Sequence, residues 1–170
     1  MKVTIFKDVK STKAPHHIQL ATALSRIQQG KSKDLIHEIR EGNKEKKLEL
    51  PVVCFSGEFS SRADEALFEH SGYIVLDFDH VDVEATKTAL ATDDYIYACW
   101  ISPSGDGIKA LVRITNPERH RDHFRALTAY LSRQHGLEVD ETGINESRAC
   151  FESYDPDIII KDDYKKFGHF

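Results

Sequence analysis

Long hydrophobic runs are missing from this chain. No apolar stretch approaches the roughly 18 residues that a membrane-crossing helix needs, and the opening residues lack the pattern of a secretory leader. The expectation is a cytoplasmic protein with no membrane partner. Cysteine is scarce as well: Cys54, Cys99 and Cys150 have no CxxC spacing, are odd in number and each lie in an apolar, strand-like run. That predicts buried, reduced thiols rather than a disulfide framework or a zinc ribbon. An excess of basic charge is also absent, with 23 Lys plus Arg against 28 Asp plus Glu and a net charge of −5. A protein that coats nucleic acid non-specifically is thereby disfavoured, while a local basic groove is not. No Walker A spacing, His-x-His pair, or Ser-His or Cys-His context is found, which argues against P-loop, relaxase-type and nucleophilic chemistry. His120 and His123 stand at helical i, i+3 spacing without a third ligand and read as surface residues. Internal repeats and low-complexity segments are absent too, so the 170 residues, 30% charged and 40% hydrophobic, suit one compact domain.

What is present is organised around Tyr73-Ile74-Val75-Leu76-Asp77-Phe78-Asp79, an apolar run ending in two carboxylates. Aromatic, β-branched and aliphatic residues in such a run make a buried strand. The period of two puts Asp77 and Asp79 on one face and Phe78 on the other. Two like charges so placed repel unless something compensates them, and a divalent cation does so with one or two carboxylates plus substrate phosphates. The same two residues also suit a plain strand end, as turn or cap residues.

In chain order, Val3–Phe6 is a short strand, Pro15 opens a helix through Ile27 that Gly30 stops, and Ser32 caps a second helix ending at Gly42. The Lys-rich stretch 43–49 reads as a solvated loop, with weak phosphate contact as its alternative. A strand over 52–55 and a helix from Ser60 or Ser61 to His70 precede the central strand. Asp82 then caps a helix to about Ala91, and 95–101 is a strand. Ser102–Gly107 is a turn, 108–114 a strand, 117–135 a helix closed by Gly136, and 149–153 a last strand. The fold class predicted is α+β: an RRM- or ferredoxin-like βαββαβ core over about 73–153, within a unit reaching 160. Residues 1–72 form an N-terminal α/β module and 161–170 a tail. In that topology strand 73–79 lies centrally between strands 108–114 and 149–153.

Three polar clusters then meet at one sheet edge. Ser104, Gly105 and Gly107 make a turn whose backbone N–H groups suit an anion, and Lys109 adds a mobile charge, although a Gly-rich hairpin chosen only for its turn conformations remains open. Asp140 is a third candidate carboxylate beside Asp77 and Asp79, and Arg148 offers a planar fork for phosphates. Without a cation, three converging carboxylates would destabilise the fold by repulsion, so neutralising Asp79 would stabilise it in chelator.

The segments Val75–Asp79, Ser102–Lys109 and Asp140 with Asn145–Arg148 resemble the three motifs of the archaeo-eukaryotic primase (primase-polymerase) superfamily. They are most similar to the N-terminal domain found ahead of virulence-associated E (VirE) type helicase or ATPase regions. Leu50-Pro51, Phe55–Gly57, His70–Gly72 and Ser153–Asp157 share that likeness, which runs from about 50 to 160. The resemblance implies Mg²⁺ or Mn²⁺ on Asp77, Asp79 and Asp140, and a nucleoside triphosphate contacted by Ser104, Gly105, Gly107, Lys109 and Arg148. It also implies nucleotidyl transfer on a single-stranded DNA or RNA template in the replication of a mobile or phage-like element, with a VirE-type helicase/ATPase as partner. The sequence departs from that pattern at Lys109, where the superfamily usually carries His. A catalytically inactive nucleic-acid- or partner-binding module of the same fold is the alternative.

Overall fold

The run 73–78 is apolar on both faces because it is covered on both. In the computed structural model, which describes residues 1–168, β6 (Tyr73–Phe78) is buried along its whole length. Ile74, Leu76 and Phe78 pack with Leu90 of α3 (Val83–Thr92) and with Phe124, Leu127 and Leu131 of α4 (His120–His135). Tyr73 and Val75 face the other way, toward Val3, Leu24, Ile27 and Val53 of the N-terminal half. Period-two alternation therefore sorts one strand between two cores.

The fold is mixed α+β. β6 pairs antiparallel with β8 (Ile108–Arg113), β8 with β7 (Ile96–Ile101), and β7 with a C-terminal β10 (Ile159–Ile160), in the order β10-β7-β8-β6. A second sheet, in the order β2-β1-β3-β9, joins β1 (Lys2–Phe6), β2 (His16–Gln19), β3 (Val52–Cys54) and β9 (Cys150–Phe151). The helices α1 (Leu20–Gln29) and α2 (Lys33–Arg40) follow β2. The Asp82 carboxylate caps α3, accepting from the Ala85 N–H, and Gly30 and Gly136 close α1 and α4 in the left-handed conformation.

Several expectations change here. The strand expected at 149–153 shrinks to β9 and pairs with β3, not with β6. β6 is thus an edge strand of its sheet. Its outer flank is approached instead by the segment leading to Asp140, whose N–H donates to the Asp77 carbonyl at 2.8 Å. The helix expected over 60–70 is an antiparallel hairpin of β4 (Gly57–Phe59) and β5 (Leu67–His70) around a short 3₁₀ turn. The helix expected from Pro15 starts only at Leu20, because 16–19 pairs with β1 as a strand. Residues 44–49 form a 3₁₀ helix rather than a loop. His120 and His123 are buried, with His120 facing His70 and His123 hydrogen-bonded to the Arg119 carbonyl. The tail also packs: Lys161, Lys165 and Phe167 donate their N–H groups to carbonyls of Tyr97, Asp94 and Arg113. Its last two residues, 169 and 170, lie outside the described residues. All three cysteines are buried free thiols.

Candidate functional site

Cross-strand register creates the site. In the β6–β8 ladder Asp77 stands directly opposite Lys109, so an acid and a base share one face of the sheet at adjacent positions. Lys109 Nζ donates to Asp77 Oδ1 at 2.7 Å, and Arg148 Nη2 donates to Asp77 Oδ2 at 2.9 Å. The same Arg148 nitrogen reaches Asp140 Oδ2 at 3.2 Å. Asp140 Oδ1 is held by the Thr142 hydroxyl and N–H. Four of the predicted residues, Asp77, Lys109, Asp140 and Arg148, therefore form one hydrogen-bonded chain.

Burial pushes the Asp77 carboxyl up, but Lys109 and then Arg148 outweigh it and hold the group below its ordinary value. For Lys109, burial acts to lower its pKa, and the Asp77 carboxylate 2.7 Å away outweighs it and holds the amine protonated. Burial likewise acts against the Arg148 charge and is outweighed first by Asp77.

The chain of charges floors a cleft of about 560 Å³, a volume suited to a small molecule. Asp79 is exposed and lines it as well. The walls include Lys47 and Arg62, from the N-terminal half. Lys47 Nζ sits 4.8 Å from the Phe151 ring centroid. Its Lys-rich segment offered a sequence signal; Arg62 offered none. The loop carrying Arg148 is fixed by Asp64, whose carboxylate accepts from the Ser147 N–H and hydroxyl and from Asn145 Nδ2. Asp64 was also missed, since its partners are 81 and 83 residues away.

The turn over 102–107 contributes no lining residue to that cleft. Ser104 donates its hydroxyl to Asp106, Asp106 pairs with His80 at 2.8 Å, and Gly107 N–H donates to the Ser102 hydroxyl. A Cβ at Gly107 would lie 2.8 Å from the Phe78 carbonyl oxygen, so the glycine permits close approach to β6. Gly105, at φ +85°, lies against Arg40, which donates to the carbonyls of Ser102, Pro103 and Tyr154. Ser104, Gly105 and Gly107 thus build a clamped hairpin beside the cleft.

Carboxylate oxygens are the right donors for Mg²⁺ or Mn²⁺. Both Asp77 oxygens are nevertheless engaged by cations and both Asp140 oxygens by Thr142 and Arg148. Among the described residues no three His, Cys, Asp or Glu side chains form a ready metal cage. Asp77, Asp79 and Asp140 are the residues that could hold a divalent cation, and of the three only Asp79 is outside any ion pair among the described residues.

Fold and cleft together define an α+β domain with a carboxylate-floored, cation-walled pocket. The chain belongs to the family described as BT4734-like, N-terminal domain, whose profile matches residues 45–159, more than half of its 170 residues. No curated protein and no solved structure matches it.

Proposed function

We propose that this chain is a primase-polymerase-like domain that binds a nucleoside triphosphate with a divalent metal and transfers nucleotides on single-stranded nucleic acid. The observation that carries the reading is the Lys109–Asp77–Arg148–Asp140 chain at the floor of the cleft. Among the charged lining residues, Lys47, Arg62, Lys109 and Arg148 outnumber Asp77, Asp79 and Asp140 by four to three. A local excess of positive charge in a chain of net charge −5 favours an anionic ligand.

In this reading Lys109 and Arg148 turn from Asp77 to the phosphates, the Arg fork fixing their orientation. Lys47 and Arg62 screen the outer phosphate charge. The carboxylates of Asp77, Asp79 and Asp140 are released to hold Mg²⁺ or Mn²⁺, which would stabilise charge on the transferring phosphoryl group. A VirE-type helicase or ATPase is the partner the sequence resemblance implies. The βαββα order from β6 through α4, with the segment to Asp140 running beside β6, supports an RRM-type core in which that segment takes the fourth strand's place. One observation favours the inactive-module alternative: Asp77 is already neutralised by protein cations.

The test is melting of the wild type in Mn²⁺ alone, triphosphate alone and both. Because cation and anion must exchange partners together, both ligands should stabilise far more than the sum of either. Saturation at a hundred times Kd corresponds to about 2.7 kcal/mol. No shift with both present removes the nucleotide reading. A shift without primer synthesis on single-stranded DNA selects the inactive module.

A further inference from the structure

A second cleft, of about 640 Å³, is lined by the same loop that borders the first. Its floor is apolar, from Ile5, Ile18 and Pro51, and its rim carries Lys7, Lys13 and His16. Two segments serve both clefts. Val9 lines the first while Lys7 and Lys13 line the second, and Lys47 lines the first while Pro51 lines the second. Arg62, in the wall of the first, ties the shared loop down by donating to the carbonyls of Val9 and Thr12.

The loop is built rather than slack. Asp8 Oδ1 accepts from the Lys10 N–H and from the Ser11 N–H and hydroxyl, so its one carboxylate is spent on the turn. Lys7, Lys10 and Lys13 are exposed and enter no ion pair among the described residues. Residues 7–14 thus hold three lysines against one aspartate in a chain of net charge −5. Ala14, beside Lys13 and in the cleft lining, sits at φ 59°, a conformation costly for a residue with a Cβ.

An apolar floor with a cationic rim suits a ligand that alternates flat apolar groups with negative charges. A single-stranded nucleic acid is such a ligand, with unstacked bases on the floor and phosphates on the lysines. A duplex hides its bases and has no use for the floor. We propose that this second cleft holds an unpaired stretch of the strand, and that the 7–14 loop leads it to the Asp77 cleft. The proposal rests on the nucleotidyl-transfer reading only for the direction of the strand.

The test compares wild type with a Lys7→Glu/Lys13→Glu double variant, using a labelled oligothymidine of about twelve nucleotides. Both lysines are exposed, so the variant should melt as the wild type does. Its affinity for the strand should fall at least about tenfold, and its salt slope by about 1.4, the value for two phosphate contacts on a single strand. Stabilisation by Mn²⁺ and triphosphate should be unchanged. On the wild type, crosslinks from a 4-thiothymidine oligonucleotide should fall within residues 5–18. Unchanged strand affinity, crosslinks elsewhere, or an equal loss with a duplex of the same length would overturn the proposal and leave the nucleotide reading standing. Lysine-dependent strand binding without any nucleotide shift would do the reverse.

Discussion

Asp77→Asn would leave Arg148 with Asp140 alone and Lys109 with an uncharged partner, and Lys109 is nearly enclosed, its side chain 12% exposed. Breaking a buried pair by removing one member typically costs about 3–5 kcal/mol, and chemical denaturation should show a loss of that order whether or not metal is present. Lys109→Ala should be costly for the same reason, so this position is structural as well as a candidate phosphate contact. Asp79→Asn, exposed and outside any ion pair among the described residues, should fall within about 0.5 kcal/mol of wild type in chelator. Repulsion among three carboxylates predicts a gain there, but the observed cations have already absorbed the repulsion. Asp77 was legible because period two places it without reference to anything distant; β6 ends at Phe78, so Asp79 lies just beyond the strand that was expected to carry it. The neutralisation of Asp77 was not legible, because it depends on which residue of β8 falls opposite Asp77 and on where Arg148 lands.

Local chemistry and distant pairing diverge most clearly in the hairpins. Gly107→Ala would bring a Cβ against the Phe78 carbonyl, a backbone atom that cannot swing aside. The expected destabilisation is about 1–3 kcal/mol, as for other overpacked sites, and is readable as a lower denaturant midpoint with an unchanged slope. The glycines of this turn were visible in the sequence, but glycine suits an anion cradle and a tight packing contact equally well. Strand β5 was hidden because Leu67–His70 is only four residues long and Phe68 is exposed, so neither period is established. β9 was visible as an apolar run, but such a run carries no mark of whether β3 or β6 will take it.

The β5 hairpin also brings His70 Nε2 within 3.0 Å of His120 Nδ1. Burial, then His120, push His70 down to about 4 from an ordinary 6.5. The unfolded chain binds that proton near 6.5 and the native state does not. Its contribution is therefore intact above 6.5 and lost as pH falls toward 4, by at most about 1.4 kcal/mol per unit. Melting temperature should fall between pH 6.5 and 4.5, and His70→Gln should flatten that slope even if it melts lower at pH 7.

Across the whole molecule, the sheet containing β6 and β8 is covered on one face by α3 and α4 and on the other by the N-terminal sheet and α1. The sequence reading split these halves at 72, yet the cleft draws Lys47 and Arg62 from one and Asp77, Lys109 and Arg148 from the other. Antiparallel strands, helix stops and the acidic edge were legible because each is written in a few adjacent residues. A wall shared between halves is written nowhere locally.

Cys150 lies in the core between those layers, against Lys109 and Asp77, and burial pushes its thiol up to about 11. Such a sulfur is almost wholly protonated at neutral pH and shielded by the ion pair above it. Alkylation of Cys150 therefore becomes a clock for how often the two layers part at the cleft floor. In a Cys54→Ser/Cys99→Ser background, the part of its rate that exceeds global unfolding reports that opening, with no assumption about what the cleft binds.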